Sequence, residues 1–162
     1  MNIFKSEVYM VKIKLGDEVV QSKIRFKVRL DFRGEYKPGR FLFGSRPVEQ
    51  VAQMVREEQL TLLRNMPMQG ITLEDYDISA DPYVIFDDLI GEKVAYAPAI
   101  LTITADSIED MVKFIMKEEF RKIEIIEPPQ MIITNKDLER ILFKMGEEFR
   151  SQLIYFAKRL KK

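Results

Sequence analysis

The sequence predicts an α+β fold: an antiparallel β-hairpin plus a βαβ-type unit, a mixed sheet covered by two or three helices, and a long C-terminal helix, in a single domain of residues 1–162. Three patterns carry this reading. Apolar and basic residues alternate on both sides of a glycine turn near the N-terminus. A β-branched run, a helical stripe and another β-branched run succeed one another between Ile100 and Ile126. Apolar residues then recur at helical spacing from Leu138 to Leu160. The 162 residues, 46% hydrophobic and 32% charged, suffice for one folded core.

The hairpin comes first. Tyr9, Val11, Ile13 and Leu15 alternate with Met10, Lys12 and Lys14, and Gly16-Asp17 turns the chain. Ile24, Phe26, Val28, Leu30 and Phe32 then alternate with Lys23, Arg25, Lys27, Arg29 and Asp31. A two-residue turn pairs Leu15 with Glu18 and sets Tyr9 opposite Ile24; a four-residue loop pairs Leu15 with Val20. Both keep the two apolar sets on one face, whereas a three-residue loop splits them. The turn-rich stretch Gly34–Pro47 frames a short strand at Phe41–Phe43, after which Ser45 can cap a helix with Pro47 in its first turn. Val48, Val51, Ala52, Val55, Leu62 and Leu63 give that helix its apolar side up to Asn65, and Pro67 and Gly70 end it. Farther on, ITLEDYDIS and YVIF read as strands kept short by Pro82, Gly91 and Pro98.

Ile100–Thr104 is the first strand of the βαβ-type unit. Asp106 serves as the cap of its helix, with Glu109 as the reciprocal capping-box partner. Ile108, Met111, Val112 and Ile115 form the buried stripe of a helix of about thirteen residues. Lys122–Ile126 is the second strand, halted by Pro128-Pro129. Met131–Ile133 reads as one more short strand. Thr134 and Asp137 make a second capping box. Leu138, Ile141, Leu142, Met145, Phe149, Leu153, Phe156 and Leu160 then line a helix of about 25 residues, roughly 37 Å long. Gly146 within it marks a kink or a close contact.

The chain has no cysteine and no histidine, which excludes imidazole and thiolate catalysis, disulfides and Cys- or His-ligated metal centres. No signal peptide or bilayer-length apolar run is read, so a cytoplasmic, non-membrane protein is expected. Abundant Ile, Lys and Glu fit a heat-adapted source. The net charge of zero is unevenly spread: 11 basic and 5 acidic residues in 1–46, 7 and 17 in 47–135, 8 and 4 in 136–162. Such segregation suits either a polyanion partner or two ends that attract each other within the fold or an oligomer.

The acidic groups have structural readings. Asp106, Glu109 and Asp110 sit where a helix start favours negative charge, and Glu109 precedes Lys113 by one turn. A second set runs from Glu74 to Glu92 with no basic residue among them. Asp75, Asp77 and Ser79 open it like a calcium loop, but Ala80, Pro82 and Phe86 stand where that loop needs its glycine turn and its bidentate glutamate. Gly39 and Gly44 have the spacing of a phosphate-binding loop, yet Ser45 and Arg46 replace the required Lys and hydroxyl pair. No cofactor, metal or identifiable small molecule is therefore expected. One constellation remains: Lys12, Lys14, Lys23, Arg25, Lys27 and Arg29, read on one face of the hairpin as a polyanion-binding set without interleaved aromatics. The expected function is a non-catalytic interaction or assembly module that self-associates through the long helix, with nucleic-acid association by the basic face as the alternative.

Overall fold

The structure is a computed structural model and describes residues 10–35 and 46–161. The expected Tyr9–Ile24 pairing, the strand at Phe41–Phe43, the Ser45 cap and most of the Gly39–Arg46 loop lie outside the described residues. Strands β1 (Val11–Leu15) and β2 (Glu18–Ser22) form the hairpin with the shorter of the expected turns, Leu15 opposite Glu18 and Val11 opposite Ser22. Gly16 makes this turn with a φ of 61°, a conformation that side-chain-bearing residues rarely adopt.

The ladder stops at Ser22. The next strand, β3 (Ile24–Gly34), leaves the hairpin and becomes an interior strand of a separate five-stranded sheet. The reason lies in its burial. Ile24, Phe26, Val28, Leu30 and Phe32 are all at most 3% exposed, and a five-residue ribbon cannot cover eleven residues. Two long partners do so instead, β6 (Glu92–Ala105) on one side and β7 (Phe120–Glu127) on the other.

Between β3 and β6 come helix α1 (Val48–Asn65), β4 (Ile71–Asp77) and β5 (Tyr83–Asp87). α1 ends where the expected breakers place it, but Pro47 is its cap residue rather than part of its first turn, and the two short strands stand where ITLEDYDIS and YVIF predict them. β4 pairs with Ile100–Ala105 of β6 and β5 with Glu92–Tyr96, so the two follow one another along that long strand. Helix α2 (Ile108–Ile115) then links β6 to β7, and α3 (Asn135–Leu160) closes the chain.

The strand order β4-β6-β3-β7 makes the sheet antiparallel where a mixed one was expected. β6 and β7, joined by α2, run parallel, but β3 lies between them, so neighbouring strands among the described residues are antiparallel. β3 and β4, joined by α1, are likewise split by β6. Two interleaved units of this kind make the β-α-β-β-α-β path of a ferredoxin-like sheet. That arrangement serves too many chemistries to carry a function of its own.

α1 and α2 cover one face. Phe26, Val28, Leu30, Leu101 and Ile103 from the sheet meet Leu60 of α1 and Met111 and Phe114 of α2 in the main cluster. Phe26 and Phe114 touch edge to face at 6.1 Å; truncating such a ring costs about 3–5 kcal/mol. Near the end of β3 the helix comes closer still. A Cβ on Gly34 would lie 2.2 Å from the backbone nitrogen of Ala52, and the small Ala95 and Ala97 floor the same contact.

Local details depart from expectation. α2 has eight residues, and its cap is Ser107, whose hydroxyl accepts from the Asp110 backbone N–H. Asp106 is otherwise engaged: its N–H donates to Gly70 O at 2.9 Å and its carboxylate pairs with Lys23 at 3.3 Å. Phe114, absent from the expected stripe, is its best-buried ring. The Met131–Ile133 strand is reduced to one bridge, Ile132 N–H to Lys12 O at 2.8 Å, which pins the hairpin base to the body.

Candidate interaction surface

α3 starts with the predicted capping box. The Thr134 hydroxyl accepts from the Asp137 N–H, while Asp137 accepts from the Thr134 N–H at 2.8 Å. These Thr134 hydrogen bonds, helped by Arg140, lower the Asp137 carboxyl to about 2. The helix then runs unbroken to Leu160, and a Cβ at Gly146 would meet open space, so the expected close contact at that glycine is not formed.

The way α3 docks is inverted. Its main neighbour is α2, and the face turned toward the body is largely ionic: Arg140 reaches Glu109 at 2.9 Å and Arg159 reaches Glu118 at 3.9 Å, while Arg140 with Asp137 at 2.6 Å and Lys144 with Glu148 at 2.9 Å pair within α3. The groove between the two helices, about 820 Å³, is lined by Glu109, Asp110, Lys113, Arg140 and Lys144. An amphipathic helix ordinarily buries its apolar side. Here most of that side is turned away: Leu138 is 48% exposed, Leu142 59%, Phe149 55%, Leu153 52%, Phe156 36% and Leu160 89%, while Ile141 and Met145 are half-buried. No described residue of α3 is buried. An exposed apolar stripe of this length is unusual on a lone chain.

The polyanion set is not brought together as expected. Lys12 and Lys14 stand on the separate hairpin, while Lys23, Arg25, Lys27 and Arg29 belong to β3 and its approach. Three of these four have a carboxylate against them. Lys23 meets Asp106, Arg25 donates to Glu74 at 2.7 Å, and Arg29 donates twice to Asp31, at 2.8 and 3.1 Å. Glu74 is held below the ordinary carboxylate range by the Thr104 hydroxyl first and by Arg25 next. Lys27 sits opposite Glu124 and helps to hold Asp77 low, after the bonds from Ser79.

The acidic segment 74–92 thus lies along the basic strand within one chain, reaching it across β6. At the far end Arg33 donates to Asp87 at 2.8 Å. Asp75 and Asp77 are on strand β4, so the calcium-like spacing falls on an extended edge rather than a loop. Among the described residues no group of three or more acids is placed to hold a metal ion, and no helix is long and apolar enough to cross a membrane.

Two buried charged residues escaped the sequence reading: Arg56, which donates to the carbonyl oxygens of Ala80 and Pro98, and Asp31. Asp31 is 1% exposed and accepts from Arg29 and from the Tyr83 hydroxyl at 2.8 Å, with Arg121 at 3.7 Å. Desolvation, then Asp31, raises the Tyr83 phenol above its ordinary value. Tyr83 stacks on Tyr96, over which Arg121 also lies. The carboxylate is saturated by donors, and this cluster joins β3, β5, β6 and β7 as a polar lock. The only hint in the sequence was an acid interrupting an otherwise basic alternation.

Comparison of the chain with protein-family models, with curated proteins and with solved structures finds no match.

Proposed function

We propose that the protein is a non-catalytic assembly module that self-associates through α3. One observation carries this: an amphipathic helix of 26 residues is docked by its ionic face, leaving most of its apolar stripe uncovered. A helix gains most of its stability from burying such a stripe, so an uncovered one argues for a missing partner surface. The pairing of Lys23, Arg25 and Arg29 with acids of the same chain weighs against the nucleic-acid alternative, because a phosphate would have to displace a carboxylate at each. Size-exclusion chromatography with light scattering tests the reading. A mass above that of one chain, rising with concentration and persisting in high salt, is expected; a strict monomer at all concentrations and salts defeats it.

A further inference from the structure

Resting on that reading, we infer that the partner of α3 is the α3 of a second copy, lying antiparallel to it across a two-fold axis at Phe149. The stripe has a property that self-association alone does not require. Apart from Ile141, which is half-buried on the flank toward Val11 and Ile108, its positions are Leu138, Leu142, Met145, Phe149, Leu153, Phe156 and Leu160, separated by steps of four, three, four, four, three and four residues. The series reads the same in both directions about Phe149. Any spacing matches itself in a parallel pair, but only a symmetric one matches when the second helix is reversed. In the antiparallel register Leu138 stands beside Leu160 of the second copy, Leu142 beside Phe156, Met145 beside Leu153, and Phe149 beside itself.

The mean step is about 3.67 residues, the period of an 11-residue repeat and close to the 3.6 of a straight helix. The stripe therefore stays on one side of α3 along its whole length of about 39 Å. Its exposed side chains offer roughly 600 Å² per copy, or about 1,200 Å² for the pair, which reaches the size of a specific interface.

Charge selects the direction. From Phe149 to Lys161 the helix and its cap carry Arg150, Lys158, Arg159 and Lys161 and no acid, whereas the first turns balance Asp137 and Glu139 against Lys136 and Arg140. A parallel pair sets the basic ends side by side. The reversed pair sets each basic end beside a turn of no net charge and opposes the two helix dipoles, so the repulsion is relieved. The contact is isologous and closes at two chains, leaving no free stripe for further growth.

The absence of cysteine makes the register directly readable. Phe149→Cys is expected to give a disulfide-linked dimer on mild oxidation. Leu142→Cys alone is expected to stay uncross-linked, and Leu142→Cys combined with Phe156→Cys to cross-link. Light scattering in reducing buffer establishes that each variant remains paired before oxidation. Cross-linking of Leu142→Cys by itself, or of neither Phe149→Cys nor the double variant, overturns the antiparallel register while wild-type self-association stands. A monomeric wild type overturns the assembly reading itself.

Discussion

Replacing Phe149 by glutamate is expected to separate the two copies while leaving each chain folded. Phe149 is 55% exposed in the single chain. Taking about 200 Å² for a whole phenylalanine, on the order of 110 Å² of its surface awaits a cover. At about 25 cal/mol per Å² that surface is worth ~3 kcal/mol, and a two-fold pair loses it twice. Buried area converts incompletely to affinity, so on the order of 4–5 kcal/mol is a fair expectation, a rise in Kd of about 10³-fold. Two carboxylates meeting at the axis add repulsion in the same direction. The monomer is a different matter. A substitution at a half-exposed site outside the core shifts fold stability by only about 0.5 kcal/mol. Sedimentation velocity over a concentration series reads the first effect, and thermal melts at a dilution where both proteins are monomeric read the second. A variant that dimerises with the wild-type Kd refutes the reasoning. So does a variant whose monomer no longer folds, because Phe149 would then belong to a core.

Other outcomes follow from the same geometry. Asp137→Ala removes the N3 half of the capping box, on the order of 1 kcal/mol. The folded Asp137 titrates at about 2, below its unfolded value of about 3.9, so its contribution is present above pH ~4 and lost as pH falls toward 2. Wild type and variant should therefore melt apart at pH 7 and together at pH 2, and an equal gap at both rejects the cap. Gly146→Ala, with open space for the new Cβ, should stabilise α3 by about 0.5–1 kcal/mol, seen as a higher melting temperature; a lower one means the glycine is needed. Duplex DNA or RNA should not bind measurably even near ~50 mM salt, and neutralising Arg25, Lys27 and Arg29 should change nothing; salt-dependent binding lost in that variant restores the nucleic-acid reading.

Periodicity made much of this molecule legible. The hairpin register at Leu15 and Glu18 follows from parity and a two-residue turn, and the limits of α1 follow from Pro47, Pro67 and Gly70. Alternation in β3 reveals which face is buried but not which strand is its neighbour, so Ile24–Phe32 was expected beside the first strand and lies between β6 and β7. The α2 cap was misplaced by one residue because Asp106 and Ser107 both have capping side chains, and tertiary contacts of Asp106 with Gly70 and Lys23 settle the choice. The stripe of α3 was plain in the sequence. Its orientation was not, because it depends on Arg140 reaching Glu109, a pairing between distant segments that no local pattern encodes. The same holds for Arg25 with Glu74, which dissolves much of the apparent basic patch.

Amide hydrogen exchange across Asn135–Leu160, followed as protein concentration rises, probes the α3 surface most directly. The second half of the helix, from Phe149 onward, should exchange quickly in dilute solution, where its apolar side meets water, and become protected in step with dimer formation. Protection that is already complete in the monomer, or exchange that never responds to concentration, contradicts a helix waiting for its own copy.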